Sequence, residues 1–341
     1  MNTEHHLKKF DVIINGTLQA MTPISFTQPL GNGSLPKIGQ KLYIPASSLR
    51  GKLRRLARDV VYEANNNEPM PLEDFYFLTL GGIKNGKAKN EEGKEVEIDK
   101  HAVTKVMAVR QQNPMVSLFG AMAPQAIGGR LSVSHLIAKE VINPDTVKHV
   151  RTNDLVRNPE VVEMLDGNAL SDYNAMKSVA DIRSALTAEK RDLNRTKKNL
   201  SSEELADANA KIKAIDEQLK DVTVVQVGLP QLEYEVIPQG AVLGSNFRLM
   251  GATEVEIVLF MKALAKFAEN PVLGGRINHG LGEVKGQWDI SFREVGGKMQ
   301  TAGTLSFDGD FMPAKTEGKV TEWLETEFNV TDMNFTAALA A

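Results

Sequence analysis

The 341-residue chain contains no cysteine and no long apolar run. The absence of cysteine excludes a disulfide framework and every thiolate-ligated zinc or iron–sulfur site. No apolar stretch approaches the roughly 18 residues that a membrane span requires. Residues 1–12 also lack the apolar core of a signal peptide. We therefore expect a cytoplasmic protein that does not contact a membrane.

The overall charge is nearly balanced. Lys and Arg together number 40 and Asp and Glu 43, which gives a net charge of −3. A balanced chain is not expected to bind nucleic acids indiscriminately, because such binding needs an excess of positive charge. The distribution of the basic residues along the chain therefore matters more than their number.

Basic residues are concentrated in Ser47–Arg58, which reads SSLRGKLRRLAR. Helical spacing predicts an apolar stripe that consists of Leu49, Leu53, Leu56 and Val60. A second stripe carries Arg50, Arg54 and Arg58, flanked by Lys52 and Arg55. Ser47 or Ser48 is the predicted N-cap, and a helix N-terminus with free amides favours a phosphate.

The spacing of these residues leaves two interpretations open. Like charges four residues apart destabilise an isolated helix slightly, so a bound anion would explain them. Arginine also suits bidentate contact with phosphate. Alternatively, the stripe is a solvated basic face that pairs with carboxylates elsewhere in the fold.

A second candidate segment is Leu273–Glu283, which reads LGGRINHGLGE. Its glycines surround Arg276 and His279, and backbone amides in such a loop can approach an anion closely. The loop follows a predicted helix and precedes a predicted strand, so it is not a dinucleotide-binding fingerprint. A glycine-rich loop alone is equally explained as a tight connection.

The periodicity along the chain predicts an α+β fold with a ferredoxin-like β-α-β-β-α-β order and insertions. The predicted strands are 10–21, 130–137, 222–227, 231–237, 241–249 and 284–292, and the predicted core helices are 47–64 and 253–269. In the strand 130–137 the alternation places Leu131, Val133, His135 and Ile137 on one side. Thr253 and Glu256 form a capping box for the second of the core helices. Residues 183–222 are interpreted as an inserted, charged helical hairpin. Ser201 and Glu204 are predicted to form a capping box between its two helical stretches.

Four segments, in this order, resemble one protein family. They are I-P-x-S-S-L-R-G-K-L-R at Ile44–Arg54, L-F-G at Leu118–Gly120, E-x-I-P-x-G at Glu235–Gly240 and G-G-R-x-x-H-G-L-G-E at Gly274–Glu283. Together they resemble the RAMP superfamily of CRISPR-associated proteins, and within it the backbone subunit that polymerises along the guide RNA. The resemblance spans residues 10–292.

The resemblance implies an RRM-like palm with inserted finger and thumb elements and a helical insertion. We assign the discontinuous palm to residues 1–64, 115–150 and 223–295. Residues 65–114 are then an insertion with a mobile loop, 151–222 a helical insertion and 296–341 a C-terminal extension.

The resemblance also implies partners and contacts. The partners are guide RNA (crRNA), target nucleic acid paired with that guide, copies of the chain in a helical filament, and other CRISPR effector subunits. The implied RNA-binding residues are Ser47, Ser48, Arg50, Lys52, Arg54, Arg55, Arg58, Gly274, Gly275, Arg276 and His279. Lys105, Arg110, Arg151 and Arg157 are further candidate contacts.

Type III members of this family cleave target RNA with an aspartate in the loop before the I-P-x-S-S helix. Residues 22–44 of this chain contain no Asp or Glu. The carboxylate that such cleavage requires is therefore missing from that loop. We predict a non-cleaving subunit without a cofactor or metal, most similar to the type IV backbone.

Two alternatives remain open. The chain could be a RAMP endoribonuclease that uses His279 as a general base. It could also be an interaction protein that docks a partner through the 183–222 hairpin. None of the six histidines has a H-x-x-x-H or H-E-x-x-H spacing, which disfavours a metal site.

Overall fold

The computed structural model describes most of the chain. The described residues are 8–26, 34–82, 88–89, 95–96, 107, 110, 113–122, 126–149, 159–164, 166–197, 202–221 and 232–329. The chain divides into two compact units. The first consists of Met1–Val147 and Tyr234–Ala341, and the second is Lys148–Glu233. We describe each unit separately.

The strands of the described residues are numbered in chain order. They are β1 Phe10–Ala20, β2 Ile24–Ser25, β3 Lys37–Ile38, β4 Lys41–Ile44, β5 Ala88–Lys89, β6 Glu95–Val96, β7 Leu131–Val133, β8 Leu136–Ala138, β9 Asp145–His149, β10 Leu232–Ile237, β11 Val242–Ala252, β12 Val284–Glu294, β13 Gln300–Phe307 and β14 Lys315–Thr316.

The α-helices of the described residues are α1 Ala46–Ala64, α2 Leu72–Leu80, α3 Pro114–Phe119, α4 Gly167–Thr196, α5 Ser202–Asp221, α6 Glu254–Glu269 and α7 Lys319–Glu325. Short 3₁₀ turns occur at Pro159–Met164 and Ile277–His279. The helix that the sequence predicts for residues 47–64 ends at Ala64, where Asn66 and Asn67 adopt left-handed backbone conformations.

The main sheet of the first unit confirms the ferredoxin-like order. Its strands follow the order β14-β13-β12-β1-β11-β8-β4-β3, and β7 also pairs with β11. The four strands of the β-α-β-β-α-β unit are, in chain order, β1, the β7–β8 segment, β11 and β12, connected through α1 and α6. Across the sheet they lie in the order fourth, first, third, second. Both helices lie on one face and pack against each other.

The core lies between this sheet and the helix pair. Leu49 and Leu53 of α1 are buried there, as are Phe260 and Phe267 of α6. Trp288 of β12 is fully buried and packs against the Phe267 ring, and its indole N–H donates to Ser245 at 3.0 Å. The helix at 253–269 begins as predicted, because the Glu256 carboxylate accepts the Thr253 amide at 2.9 Å.

The predicted continuous strand 130–137 is wrong in its second half. β7 and β8 are separate strands, and the register with β11 changes by one residue between Val133–Phe247 and Ile137–Gly244. One extra residue in this bulge turns every following side chain to the opposite face. Leu136 and Ala138 are therefore buried instead of His135 and Ile137.

The second unit contains the predicted helical hairpin, formed by α4 and α5. The first helix begins at Gly167, earlier than the predicted start at residue 183, because Asp166 caps it by accepting the Ala169 amide at 2.8 Å. Ile215 is buried on α5, and Lys190 pairs with Asp216 between the two helices. Ser201 of the predicted Ser201–Glu204 capping box lies outside the described residues, and so does the predicted strand 222–227.

No helix in the described ranges is long and apolar enough to cross a membrane.

Candidate nucleic-acid interface

Helix α1 begins earlier than predicted. Its N-cap residue is Pro45, and no neighbouring side chain forms a capping hydrogen bond. The predicted N-cap at Ser47 or Ser48 is therefore wrong. Pro45 has an extended ψ of 137°, and its carbonyl accepts the Ser48 amide at 3.0 Å. Ser47 and Ser48 therefore lie inside the first helical turn, where Ser47 is exposed and Ser48 half-buried.

His135 takes the place of a local cap. Its Nδ1 accepts the Ala46 amide at 3.0 Å, and its ring packs edge-on against Tyr43 at a centroid distance of 4.9 Å. The bulge between β7 and β8 turns His135 outward to reach the helix. The uninterrupted alternation of residues 130–137 gives no signal for this bulge, so the role of His135 could not be predicted from the sequence.

Arg54 points into the protein, away from solvent. It is buried, and its guanidinium donates to the carbonyls of Leu78 at 2.7 Å, Phe77 at 3.0 Å and Phe119 at 3.3 Å. Two of these acceptors belong to the last turn of α2, where carbonyls run short of helical partners. The Phe77 carbonyl also accepts the Gly81 amide at 2.9 Å. Burial, followed by repulsion from Arg50, lowers the pKa of Arg54 to about 10. Arg54 thus fixes α2 to α1.

The other two arginines of the predicted stripe also face α2 and α3. Arg50 is half-buried and donates to the Phe119 carbonyl at 3.1 Å. Arg58 forms an ion pair with Asp59 at 2.6 Å and lies over the Phe75 ring at 5.3 Å. The stripe at residues 50, 54 and 58 is therefore largely occupied by contacts within the fold.

A second side of α1 faces the glycine-rich loop. Ser48, Lys52 and Arg55 recur at spacings of four and three, so they share one side of the helix. The Lys52 ammonium donates to the carbonyls of Asn270, at 3.3 Å, and Val272, directly before the loop. Arg55 is exposed and forms no hydrogen bond or ion pair within the described part of the chain.

The glycine-rich loop is attached to the start of the segment that follows β1. The Leu273 amide donates to the Gly282 carbonyl at 2.7 Å and closes the loop at its base. The Gly275 amide donates to the Ser25 carbonyl at 2.9 Å, and Gly282 donates to Pro23 at 2.9 Å. These bonds leave Gly274, Gly275 and His279 exposed on the surface.

Gly274 and Gly275 provide a matched test of this loop. Gly274 has a φ of +83°, and a Cβ there would overlap the Ser25 carbonyl oxygen, whereas a Cβ on Gly275 would meet nothing within 4 Å. We expect Gly274→Ala to lower the free energy of unfolding by about 2 kcal/mol or more. Gly275→Ala should stay within about 0.5 kcal/mol of wild type. Denaturant unfolding measures both, and equal effects of the two substitutions would contradict this loop geometry.

Arg276 occupies the turn of the loop with a left-handed φ of 59°. Its guanidinium stacks over the Tyr234 ring at 3.6 Å and donates to the Ser25 hydroxyl at 3.1 Å. Burial raises the pKa of Tyr234, and the charge of Arg276 opposes this shift. The stack fixes the plane of the guanidinium beside the exposed His279.

The remaining motif residues have structural contacts. Glu235 accepts the Leu35 amide at 2.8 Å and so attaches the segment before β3 to β10. Phe119 is buried, and its carbonyl accepts hydrogen bonds from Arg50 and Arg54. Arg110 donates to the Gly128 carbonyl. The predicted contacts Lys105, Arg151 and Arg157 lie outside the described residues.

The arrangement defines a ferredoxin-like protein whose first helix and final glycine-rich loop meet through Lys52. The model of the RAMP superfamily matches residues 23–285, well over half of the chain. The chain belongs to the RAMP superfamily, which confirms the resemblance inferred from the four motifs.

Comparison with solved structures found a similar chain described as "Type IV-B CRISPR Complex". It is 18% identical, and the match covers 80% of this chain and 89% of that chain with a TM-score of 0.40. No curated protein matches this chain. Within the described residues, no group of three or more His, Asp or Glu side chains could hold a metal ion.

Proposed function

We propose that this chain is a guide-RNA-binding backbone subunit of a CRISPR effector ribonucleoprotein, with several copies arranged along one RNA. The observation that carries the proposal is the meeting of α1 and the glycine-rich loop. Lys52 connects them, Arg55 is exposed on α1, and Arg276 and His279 lie in the loop. Arginine guanidinium groups at the surface suit bidentate contact with an RNA phosphate backbone.

Membership of the RAMP superfamily supports this proposal. The four motifs, in their order, also resemble those of the guide-binding members. Contacts to phosphates position a strand without reading its bases. Base pairing between guide and target would then supply sequence recognition, as in other RNA-guided complexes. We propose the type IV form of this assembly, with copies of the chain and other effector subunits as partners.

We further propose that the subunit does not cleave RNA. Residues 22–44 contain no carboxylate side chain that could act as a general acid or base or hold a metal ion. The competing hypothesis is an endoribonuclease in which the exposed His279 is the general base.

A cleavage assay separates these two functions. Wild type and His279→Ala are each incubated with labelled guide precursor and with labelled target RNA hybridised to the guide. We expect intact RNA in every reaction, with both proteins bound to it. Cleavage by wild type that disappears in His279→Ala would establish the endoribonuclease instead.

A further inference from the structure

Lys52 is a half-buried connection between α1, the end of α6 and the glycine-rich loop. Its ammonium donates to the Asn270 carbonyl at 3.3 Å and to the Val272 carbonyl, and it lies 5.1 Å from the centre of the Phe267 ring. Asn270 is the C-cap of α6, where the last carbonyls attract a cation. The ammonium is therefore directed at the protein main chain.

The two carbonyls lie at the base of the glycine-rich loop. Val272 pairs with Glu283 in an antiparallel bridge, and Val284 donates to the Pro271 carbonyl at 2.8 Å. The adjacent residues are also paired, since the Leu273 amide donates to the Gly282 carbonyl. A shift of residues 270–272 would consequently move both ends of the loop that presents Arg276 and His279.

Lys52 is kept in a position that is unfavourable for its charge. Burial, and to a smaller extent repulsion from Arg55, lowers the pKa of Lys52 from 10.5 to about 8. The unfolded chain therefore binds more protons than the folded chain between these two values. This group's contribution to stability consequently rises as the pH rises from about 8 towards 10.5. Strongly perturbed groups of this kind concentrate at functional sites.

We propose that Lys52 is a positioning residue that holds the glycine-rich loop in its RNA-binding arrangement relative to α1. The inference rests on the proposed function and assigns Lys52 a role through the loop, without direct contact to RNA. A loop that is already ordered before RNA arrives loses less conformational entropy on binding. Without Lys52, only a fraction of molecules would present the loop correctly, and the apparent affinity would fall by that fraction.

The test compares Lys52→Met with Lys262→Met in the full chain. Lys262 is a matched control, because it also donates to a main-chain carbonyl, that of Leu324 at 2.7 Å, and burial also lowers its pKa. It contacts α7 and not the loop. Hydrogen exchange at the Leu273 and Gly275 amides, thermal unfolding and affinity for a single-stranded RNA are measured for each protein.

For Lys52→Met we expect faster exchange at Leu273 and Gly275 and an affinity for RNA reduced by about tenfold. Unfolding should occur near the wild-type temperature, because removal of a partly desolvated charge offsets the loss of two hydrogen bonds to main-chain carbonyls. Lys262→Met should keep wild-type exchange in the loop and wild-type affinity. Lys52→Arg keeps the charge and several donors, so it should retain slow exchange in the loop and most of the wild-type affinity.

The outcomes distinguish this inference from the proposed function. Unchanged exchange and unchanged affinity in Lys52→Met would overturn the positioning role. Reduced affinity with unchanged exchange would also overturn it, because Lys52 would then contact RNA directly while the protein remains an RNA-binding subunit. Failure of wild type to bind RNA at all would instead refute the proposed function.

Discussion

Arg54→Glu is expected to unfold the protein. The substitution removes the donors for the carbonyls of Leu78, Phe77 and Phe119 and places a carboxylate against them in a buried site. Unpaired buried charges are among the most damaging single changes, so we expect a loss of more than about 3 kcal/mol in the free energy of unfolding. Denaturant unfolding followed by circular dichroism measures this loss.

The neighbouring residue provides the control. Arg55→Glu makes the same charge change one position later on an exposed side chain, so it should alter the free energy of unfolding by less than about 0.5 kcal/mol. Stable, folded Arg54→Glu protein that has merely lost RNA would contradict the structural role of Arg54. Because Arg54→Glu removes hydrogen bonds that stabilise the fold, a loss of RNA binding in that variant would not identify Arg54 as an RNA contact.

Arg55→Glu combined with Arg276→Glu is expected to abolish tight RNA binding by a folded protein. These residues represent α1 and the glycine-rich loop. Arg55 is exposed, and we propose that Arg276 contacts the RNA backbone through the donors that it does not use for Ser25. Each lost phosphate contact should reduce the slope of log affinity against log salt by about 0.7 for a single strand. We therefore expect a slope reduced by about 1.4 and an affinity lowered by at least about 100-fold at moderate salt.

Lys9→Glu combined with Lys298→Glu is the matched control for this double substitution. Both lysines are exposed and lie near the turn after β12, since the Lys9 carbonyl accepts the Val295 amide. The glycine-rich loop precedes β12, so the whole strand separates it from these lysines. The control should retain wild-type affinity and salt slope. An equal loss in both double variants would indicate nonspecific attraction by net charge.

Local patterns were sufficient to predict most of the secondary structure. The alternation in β1 and β12, the apolar stripe of α1 and the Thr253–Glu256 cap depend on residues close in sequence, and the structure confirms each. The helical hairpin was also predicted, although its first helix extends further towards the N-terminus. The periodicity led to the ferredoxin-like order of elements, and the motif order led to the correct family.

The orientation of the basic side chains could not be predicted from the sequence. Spacing placed Arg50, Arg54 and Arg58 on one stripe, but it could not reveal that α2 would cover that stripe. Helix α2 was not predicted at all, and its carbonyls are the acceptors for Arg54. Lys52 likewise meets carbonyls about 220 residues away along the chain, a contact that depends on how α1 and α6 pack.

The RNA-binding roles of Ser47, Ser48, Arg55, Gly275, Arg276 and His279 stay predictions. Arg55 is now a stronger candidate RNA contact than Arg50, Arg54 or Arg58, because its side of α1 lies next to the glycine-rich loop. Within the described residues, Arg50 donates one hydrogen bond to the fold, whereas Arg54 and Arg58 donate three each.

The central claim is tested most directly by imaging the native assembly. The protein is purified from cells that also express a CRISPR array, and the particles are examined by electron microscopy together with extraction of any bound RNA. A row of identical subunits along one protected RNA is the result that this account predicts. RNA-free monomers from the same cells would contradict it.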